Sequence, residues 1–346
     1  MTTASQIRLD GVIDMHVHTA PDVIQRTYND LELTDAAVRT GARAIVMKGH
    51  HCATVARAAL CNAYNRKAHP DNSFYMFGGL VLNREAGGLN PAAVQTALTM
   101  GAKVIWLPTV DAANEYRKRG KSGGIQMTNE RGFLLPELRE ICKLIKEYDA
   151  VLATGHISPE ESRSVVDAAR IAGVRKIVIT HPEYWVVDMS IAQQKELVTD
   201  YHVVLERCFR QPLPNGQWVS NVARNAEAIR QLGADNTILS TDCGDPADPP
   251  WEYAMAQYLH EMEAHGVSRC TAPHDAYPAC TAAGARGRGG VAHQNRRECA
   301  VLIRKEVREG ECPSCTSCII LCFVSRIQLI GTQIEQERGH LITVDA

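Results

Sequence analysis

The 346-residue chain lacks any surplus of charge: 37 Lys and Arg stand against 39 Asp and Glu, a formal net charge of −2. That balance gives no general pull toward nucleic acid or anionic membranes, and neither is expected as a partner. The N-terminal MTTASQIRLDG lacks the apolar core that a secretory signal needs. The longest apolar run, Cys318 to Val324, is far too short to span a bilayer. No Gly-x-Gly-x-x-Gly follows the first apolar strand, so the main signature of a dinucleotide-binding sheet is missing. The expectation is a cytoplasmic protein acting on a small molecule, with homo-oligomerisation left open.

Paired cysteine spacing is also missing from most of the chain. Of twelve cysteines, Cys52, Cys61, Cys142, Cys208 and Cys243 are scattered and read as thiols of a reducing compartment. The other seven crowd into the tail. There Cys312-x-x-Cys315-x-x-Cys318 offers part of a zinc or iron–sulfur motif, with Cys322 the one candidate for a fourth ligand. From residue 269 onward the text is rich in Cys, Arg and Gly and has no apolar period. Shifting Cys270–Ala285 by one nucleotide, with GC-rich codons, restores an ordinary apolar segment. Residues 10–268 are therefore expected to be the working domain. Residues 269–346 are expected to be an atypical, out-of-frame or fusion-derived extension that adds little to activity.

What is present is a regular alternation of short apolar runs and helical patterns. Candidate strands are Val12–Val17, Ala42–Met47, Phe74–Leu82, Lys103–Leu107, Val151–Thr154, Lys176–Thr180, His202–Glu206 and Thr237–Thr241. Several are continuously apolar, as parallel strands buried on both faces require. Helical patterns lie between them, at Ala53–Ala68, Pro91–Met100, Leu135–Tyr148, Pro159–Ala172, Ile191–Asp200 and Val219–Leu232. Gly41, Gly101, Gly173 and Gly233 each sit between a helix and a strand, at intervals of 60, 72 and 60 residues. Each interval holds two strand–helix units of about 30 residues, and eight such units make an α/β fold of the (β/α)8 TIM-barrel type.

Barrel enzymes place their chemistry at the C-terminal strand ends. Those ends carry His16 and His18 (first strand), Lys48, His50 and His51 (second), and Asn83 (third). They continue with His156 (fifth), His181 (sixth), Glu206 (seventh) and Asp242 (eighth). His16 and His18 are two apart in a strand, so they project to one face and can share a divalent metal. Imidazoles with a carboxylate suit Zn first, with Mn, Fe or Ni as alternatives. Such an ion activates water, with Asp242 as general base and a second His or Lys48 polarising the substrate oxygen. Lys48 and Glu206 also have structural readings, Glu206 as a partner of Arg207 or Arg210, and His50 is favoured over His51 for facing the site. Asp14 is expected beneath His16 as a support. Arg207 and Arg210, with Trp185, are read as a carboxylate clamp and apolar wall. The long basic loop Asp111–Gly132 is read as either a lid drawing in an anionic substrate or, the more frequent case, a solvated charge run.

This pattern resembles the amidohydrolase superfamily of metal-dependent barrels, over roughly residues 10–265. It rests on His-x-His in the first strand, His in the fifth and sixth, and Asp in the eighth. The phrases VMKGHH, VIWLPTVDA, THPEYW and STDCG suggest an amidohydrolase-like family with no assignable substrate. The resemblance implies that His16, His18, His156, His181 and Asp242 form the metal and catalytic set. The fourth strand departs from the two-metal members: it ends Trp106-Leu107-Pro108-Thr109, with no bridging lysine or glutamate. One metal is therefore favoured over two, with His181 free to act on substrate, unless Lys48 or Glu206 bridges. The function expected is hydrolysis of an amide, lactam, lactone or ester, with phosphotriesters chemically similar. The alternatives are a metal-dependent non-oxidative decarboxylase, a phosphoesterase of the polymerase-and-histidinol-phosphatase type, and a barrel retained as a binding protein.

Overall fold

The computed structural model describes residues 7–270 and 318–320. Its frame is a ring of parallel strands. β1 (Ile13–Val17) and β2 (Ala44–Met47) lead to a third barrel strand that Gly78 divides into β3 (Tyr75–Phe77) and β4 (Gly79–Val81). β5 (Val104–Trp106), β6 (Val151–Ala153), β7 (Lys176–Ile179), β8 (Val204–Cys208) and β11 (Thr237–Ser240) complete eight positions. The hairpin β9 (Arg210–Pro212) and β10 (Trp218–Ser220) stands outside the ring. Neighbours pair in the order β1-β2-β3 and β4-β5-β6-β7-β8-β11. The ring closes where Asp242 N–H donates to the His16 carbonyl (2.9 Å) and His18 N–H to the Cys243 carbonyl (2.8 Å).

A helix follows every barrel strand: α1 (Asp30–Thr40), α2 (Val55–Ala68), α3 (Pro91–Thr99), α5 (Pro136–Glu147), α6 (Pro159–Ile171), α7 (Ile191–Tyr201), α8 (Val222–Leu232) and α9 (Trp251–Ala264). The short α4 (Ala113–Lys118) lies in the loop after β5. All four punctuating glycines have positive φ, and Gly41 caps α1 in the left-handed conformation. The barrel interior is filled by alternate strand residues, among them Met15, Val46, Phe77, Val104, Trp106 and Val178. The opposite strand faces pack on the helices through Ile45, Met47, Ile105, Leu152 and Leu205. The TIM-barrel expectation is met.

Plain alternation along β1 would put Asp14 on the same face as His16, but a bulge intervenes. The pairing runs Asp14↔Ile45 and then Val17↔Met47, so one extra residue of β1 is accommodated between them. Asp14 therefore faces α9, where Trp251 Nε1 donates to it at 2.9 Å, while His16 meets the site. From that position Asp14 also accepts the His16 and Thr241 N–H groups and the Thr241 hydroxyl. It fastens the first strand to the last, directly under the site.

The helices α1 and α9 and the β9–β10 hairpin were not among the patterns picked out in the sequence. The end of the hairpin, at Val219 and Ser220, takes up what reads in the sequence as the start of α8. In the loop after β5, Arg117, Lys118 and Lys121 are exposed, as a solvated charge run requires. Its ends are packed, with Ala112 and Met127 fully buried and Ala113 N–H donating to the Ile125 carbonyl. In the tail, β12 (Ser268–Cys270) pairs in parallel with β13 (Cys318–Ile320). The remainder of 269–346, including Cys312, Cys315 and Cys322, lies outside the described residues. Among the described residues no helix is long and apolar enough to cross a membrane.

Ring closure and the last barrel helix are complete by residue 264, which generates a prediction. A chain ending at residue 270 is expected to keep a single cooperative thermal transition and the far-ultraviolet circular dichroism of a folded α/β protein. A molten or absent transition would make the tail part of the fold.

Candidate active site

The strand ends bring together most of the residues singled out in the sequence. A cavity of about 210 Å³ opens at the C-terminal end of the barrel, faced by His18, Lys48, His50, His156, His181 and Asp242. His16 lies just behind it, fully buried. At the centre, Asp242 Oδ1 is 2.8 Å from His16 Nε2 and 3.2 Å from His18 Nε2. Lys48 Nζ stands 2.9 Å from the same His16 nitrogen. The rings of His156 and His181 lie 4.9 Å apart, and His181 is 5.9 Å from His16.

Local backbone chemistry fixes this geometry. Asp242 and His181 both adopt positive φ (57° and 27°), in a region where Asp and His are among the more tolerant residue types. Gly244 has φ +135°, and a Cβ there would overlap the His18 carbonyl, so only glycine lets this loop lie against β1. His156 sits two residues before Ser158, which caps α6 in a reciprocal box with Glu161. A cap of this kind contributes about 1 kcal/mol and anchors the turn that carries His156.

Carboxylates hold two of the imidazoles from behind. Glu206 Oε2 accepts from His16 Nδ1 at 3.3 Å, and Glu115 Oε2 from His156 Nδ1 at 2.9 Å. Each pairing directs the ring's Nε2 toward the site. Burial pushes the Glu115 carboxyl up, but its bonds to His156 and Arg119 outweigh that and hold it below its ordinary value. Glu206 thus serves His16 rather than Arg207 or Arg210, the partners read from sequence. Arg207 is buried against Glu183 and Gln194, and Arg210 meets Asp248.

Other expected contacts fall elsewhere. Asn83 does not face the cavity: its amide nitrogen donates to the His50 carbonyl (2.9 Å) and Thr109 Oγ1 (2.8 Å), and its oxygen accepts Thr109 N–H (2.8 Å). It braces the loops that carry His50. His50 itself faces the cavity, stacked on His18 with ring centres 4.7 Å apart, while His51 turns to Asp22. Trp185 lies behind the wall, its indole N–H on the Pro212 carbonyl, and Tyr184 forms the aromatic surface beside His156 and His181. Arg210 lines the mouth as expected.

Sequence reasoning missed Glu115, Arg26, Tyr184 and Trp218. Glu115 left a trace as the residue four before Arg119 in the long basic loop, and Tyr184 as part of the phrase THPEYW.

Burial governs the charges. It drives the His18 pKa down to about 3, and lowers those of His50, His156 and His181 below the ordinary value. His16 is the exception, because Asp242 and Glu206 together outweigh burial and the repulsion of Lys48. Lys48 is lowered by burial despite those carboxylates. Asp242 is held well below its ordinary value, against burial, by His16 and His18.

The donor set fits a divalent ion. His16, His18 and Asp242 offer three ligand atoms within 4.8 Å of one another, and a further group of His16, Glu206 and Cys208 meets the same limit. His16 Nδ1 faces Glu206, which leaves His16 Nε2, His18 Nε2 and Asp242 Oδ1 converging on one point, a donor set of the kind that divalent ions take. His18 Nδ1 and His181 Nδ1 are buried without a hydrogen-bond partner.

In metal-free protein at pH 6, side-chain ¹⁵N NMR should find His18, His50 and His181 neutral and His16 protonated. The unfolded chain takes up protons on His18, His50, His156 and His181 near pH 6.5 and the fold resists them below it, which outweighs the opposite contribution of His16 alone. Stability is therefore expected to fall as pH drops from 7 through that window. A protonated His181 above pH 6, or a melting temperature that rises on acidification, would contradict the burial argument.

Comparison with known proteins adds a family. No curated protein matches the chain. The structure is similar to an amidohydrolase from Pseudomonas aeruginosa, with 15% identity over 70% of this chain and 76% of that one, at a TM-score of 0.46. It is also similar to 2,6-dihydroxybenzoate decarboxylase from Rhizobium (13% identity, 75% and 95% covered, TM-score 0.42). A third is N-acetyl-D-glucosamine-6-phosphate deacetylase from Mycobacterium smegmatis (16% identity, 77% and 71% covered, TM-score 0.42). The model of a family of unknown function, DUF6282, matches residues 11–206, a stretch that holds His16, His18, Lys48, His156, His181 and Glu206. Because that match spans more than half of the sequence, the chain belongs to the DUF6282 family.

Proposed function

We propose that the chain is a metal-dependent hydrolase of the amidohydrolase type, acting on the C–N or C–O bond of a small amide, lactam, lactone or ester. The observation that carries this reading is the meeting of His16 Nε2 and His18 Nε2 on one oxygen of Asp242, at 2.8 and 3.2 Å. His156 and His181 face the same cavity. The N/O donors suit zinc first, then Mn, Fe or Ni. One ion is favoured, because the chain beyond β5 offers Leu107, Pro108 and Thr109 rather than a bridging carboxylate. A bound ion supplies Lewis-acid polarisation and water activation.

The remaining chemistry belongs to the chain's own side chains. Asp242 Oδ2 has no hydrogen-bond partner among the described residues and can take the proton of the attacking water, then return it to the leaving group. Neutral His181 can direct an N–H at the oxygen where negative charge develops. Lys48 contributes a buried positive charge beside His16. Tyr184 closes one side of the cavity to water.

Two experiments test this. Assayed against esters, lactones, amides and phosphotriesters, the protein is expected to turn over at least one class, to lose it to a chelator, and to regain it with zinc. Asp242→Asn is expected to lower that turnover by about 10²–10⁴-fold. Turnover unchanged by both treatments rules the reading out. Glu115→Gln is expected to weaken metal binding by about 10–100-fold in a competition titration, because His156 loses its orienting acceptor. Unchanged affinity would leave Glu115 as a packing residue and His156 outside the ligand set.

A further inference from the structure

Three guanidinium groups reach the cavity from different loops: Arg26 after β1, Arg119 after α4 and Arg210 in β9. They are not equivalent. Arg119 is tied to Glu115 and lies over Trp185 (5.3 Å), so it belongs to the support of His156. Arg210 is loosely held, with Nη1 at 3.3 Å from both the Asp248 carboxylate and the Ala247 carbonyl. Its guanidinium lies over the Trp218 ring, 5.5 Å from the ring centre, within cation–π range. Burial, with Asp242 adding, pushes Asp248 up to about 7, so near neutrality it offsets only part of the Arg210 charge.

Arg26 is the more telling case. Its side chain is only 6% exposed, yet it lines the cavity. Nε and Nη2 converge on the same oxygen of Asp22, at 2.8 and 2.7 Å, and Nη2 is buried with no well-aligned acceptor. Of the acidic residues lining the cavity, Asp242 is engaged by His16 and His18, Glu115 by His156 and Arg119, and Asp245 turns back to accept Ala247 N–H (2.9 Å). Asp22 balances the charge of Arg26, but one carboxylate oxygen uses only part of the guanidinium's five N–H donors, and the rest can bond an oxyanion in the cavity.

We propose that Arg26 and Arg210 form a clamp for a small oxyanion, carboxylate or phosphate, carried by the substrate, with the scissile bond held at the His16–His18–Asp242 centre. The assignment of a scissile bond rests on the hydrolase reading; the anion clamp itself does not.

The test is calorimetric binding of benzoate, benzamide and phenyl phosphate to the full chain, as purified and after chelation. Benzoate is expected to bind about tenfold or more tightly than benzamide with or without metal, and more weakly as salt is added. Arg210→Met and Arg26→Met are each expected to lose about tenfold on benzoate and less than about twofold on benzamide. Arg210→Lys, which keeps the charge and loses the fork, is expected to fall between wild type and Arg210→Met, and it serves if Arg26→Met fails to fold. Phenyl phosphate binding tighter than benzoate supports the clamp and assigns it to phosphate; the reverse order assigns it to carboxylate. Equal binding of benzoate and benzamide, or equal losses on both in the methionine variants, overturns the clamp. Anion selectivity without hydrolysis of any test substrate removes the hydrolase reading alone. Hydrolysis with no preference for anions removes the clamp alone.

Discussion

Everything at the active end depends on how the barrel closes. His18 and Asp242 are 224 residues apart in sequence and come within 3.2 Å because the first and last strands share backbone hydrogen bonds at that level. The same junction carries both halves of the candidate ligand group, so positioning the site and closing the fold are one event. Asp14 reinforces it from the helix side, where a single buried carboxylate accepts bonds from β1, the end of β11 and α9. The bulge in β1 makes this arrangement available, since it lets Asp14 face out and His16 face in although they are two residues apart.

Around that junction the charges are arranged in two shells. The inner one holds the imidazoles of His18, His50 and His181 that burial keeps neutral, His16 with a proton that an arriving cation would displace, one ionised carboxylate and a buried lysine. Neutral imidazoles are what metal ligation requires, and an ionised Asp242 is what a general base requires. The outer shell is made of carboxylates that face ring nitrogens from behind, Glu206 on His16 and Glu115 on His156. These fix tautomers without competing for the cavity. Farther out, guanidinium groups alternate with aromatic surfaces at Trp185 and Trp218, an arrangement suited to planar or anionic small molecules.

Much of this was legible in the sequence. The strand runs, the helix-ending glycines and the eightfold repeat set out the barrel, because parallel buried strands must be apolar throughout and a helix followed by a tight turn needs a left-handed residue. The polar residues that end those runs, His16, His18, His156, His181 and Asp242, were legible for the same reason: a polar side chain ending an apolar strand has nowhere to go but the barrel mouth. Partner choice was not legible. Glu206 stands next to Arg207 in sequence yet bonds His16, because alternation sends adjacent strand residues to opposite faces, and Arg207 goes outward to Glu183. Asn83 looked like a strand-end contact and is a brace, because both of its amide groups are taken up by the loops bearing His50 and Thr109.

By itself, then, the sequence determined the type of fold and the identity of the groups gathered at its mouth, through periodicity and through the cost of burying polar atoms. Only the tertiary structure decided which nitrogen faces which oxygen, that Glu115 lies behind His156, and that Arg26 comes to line the cavity. Those contacts join loops distant in the chain, and their geometry follows from barrel closure, a bulge and a few left-handed residues. No local pattern encodes these together.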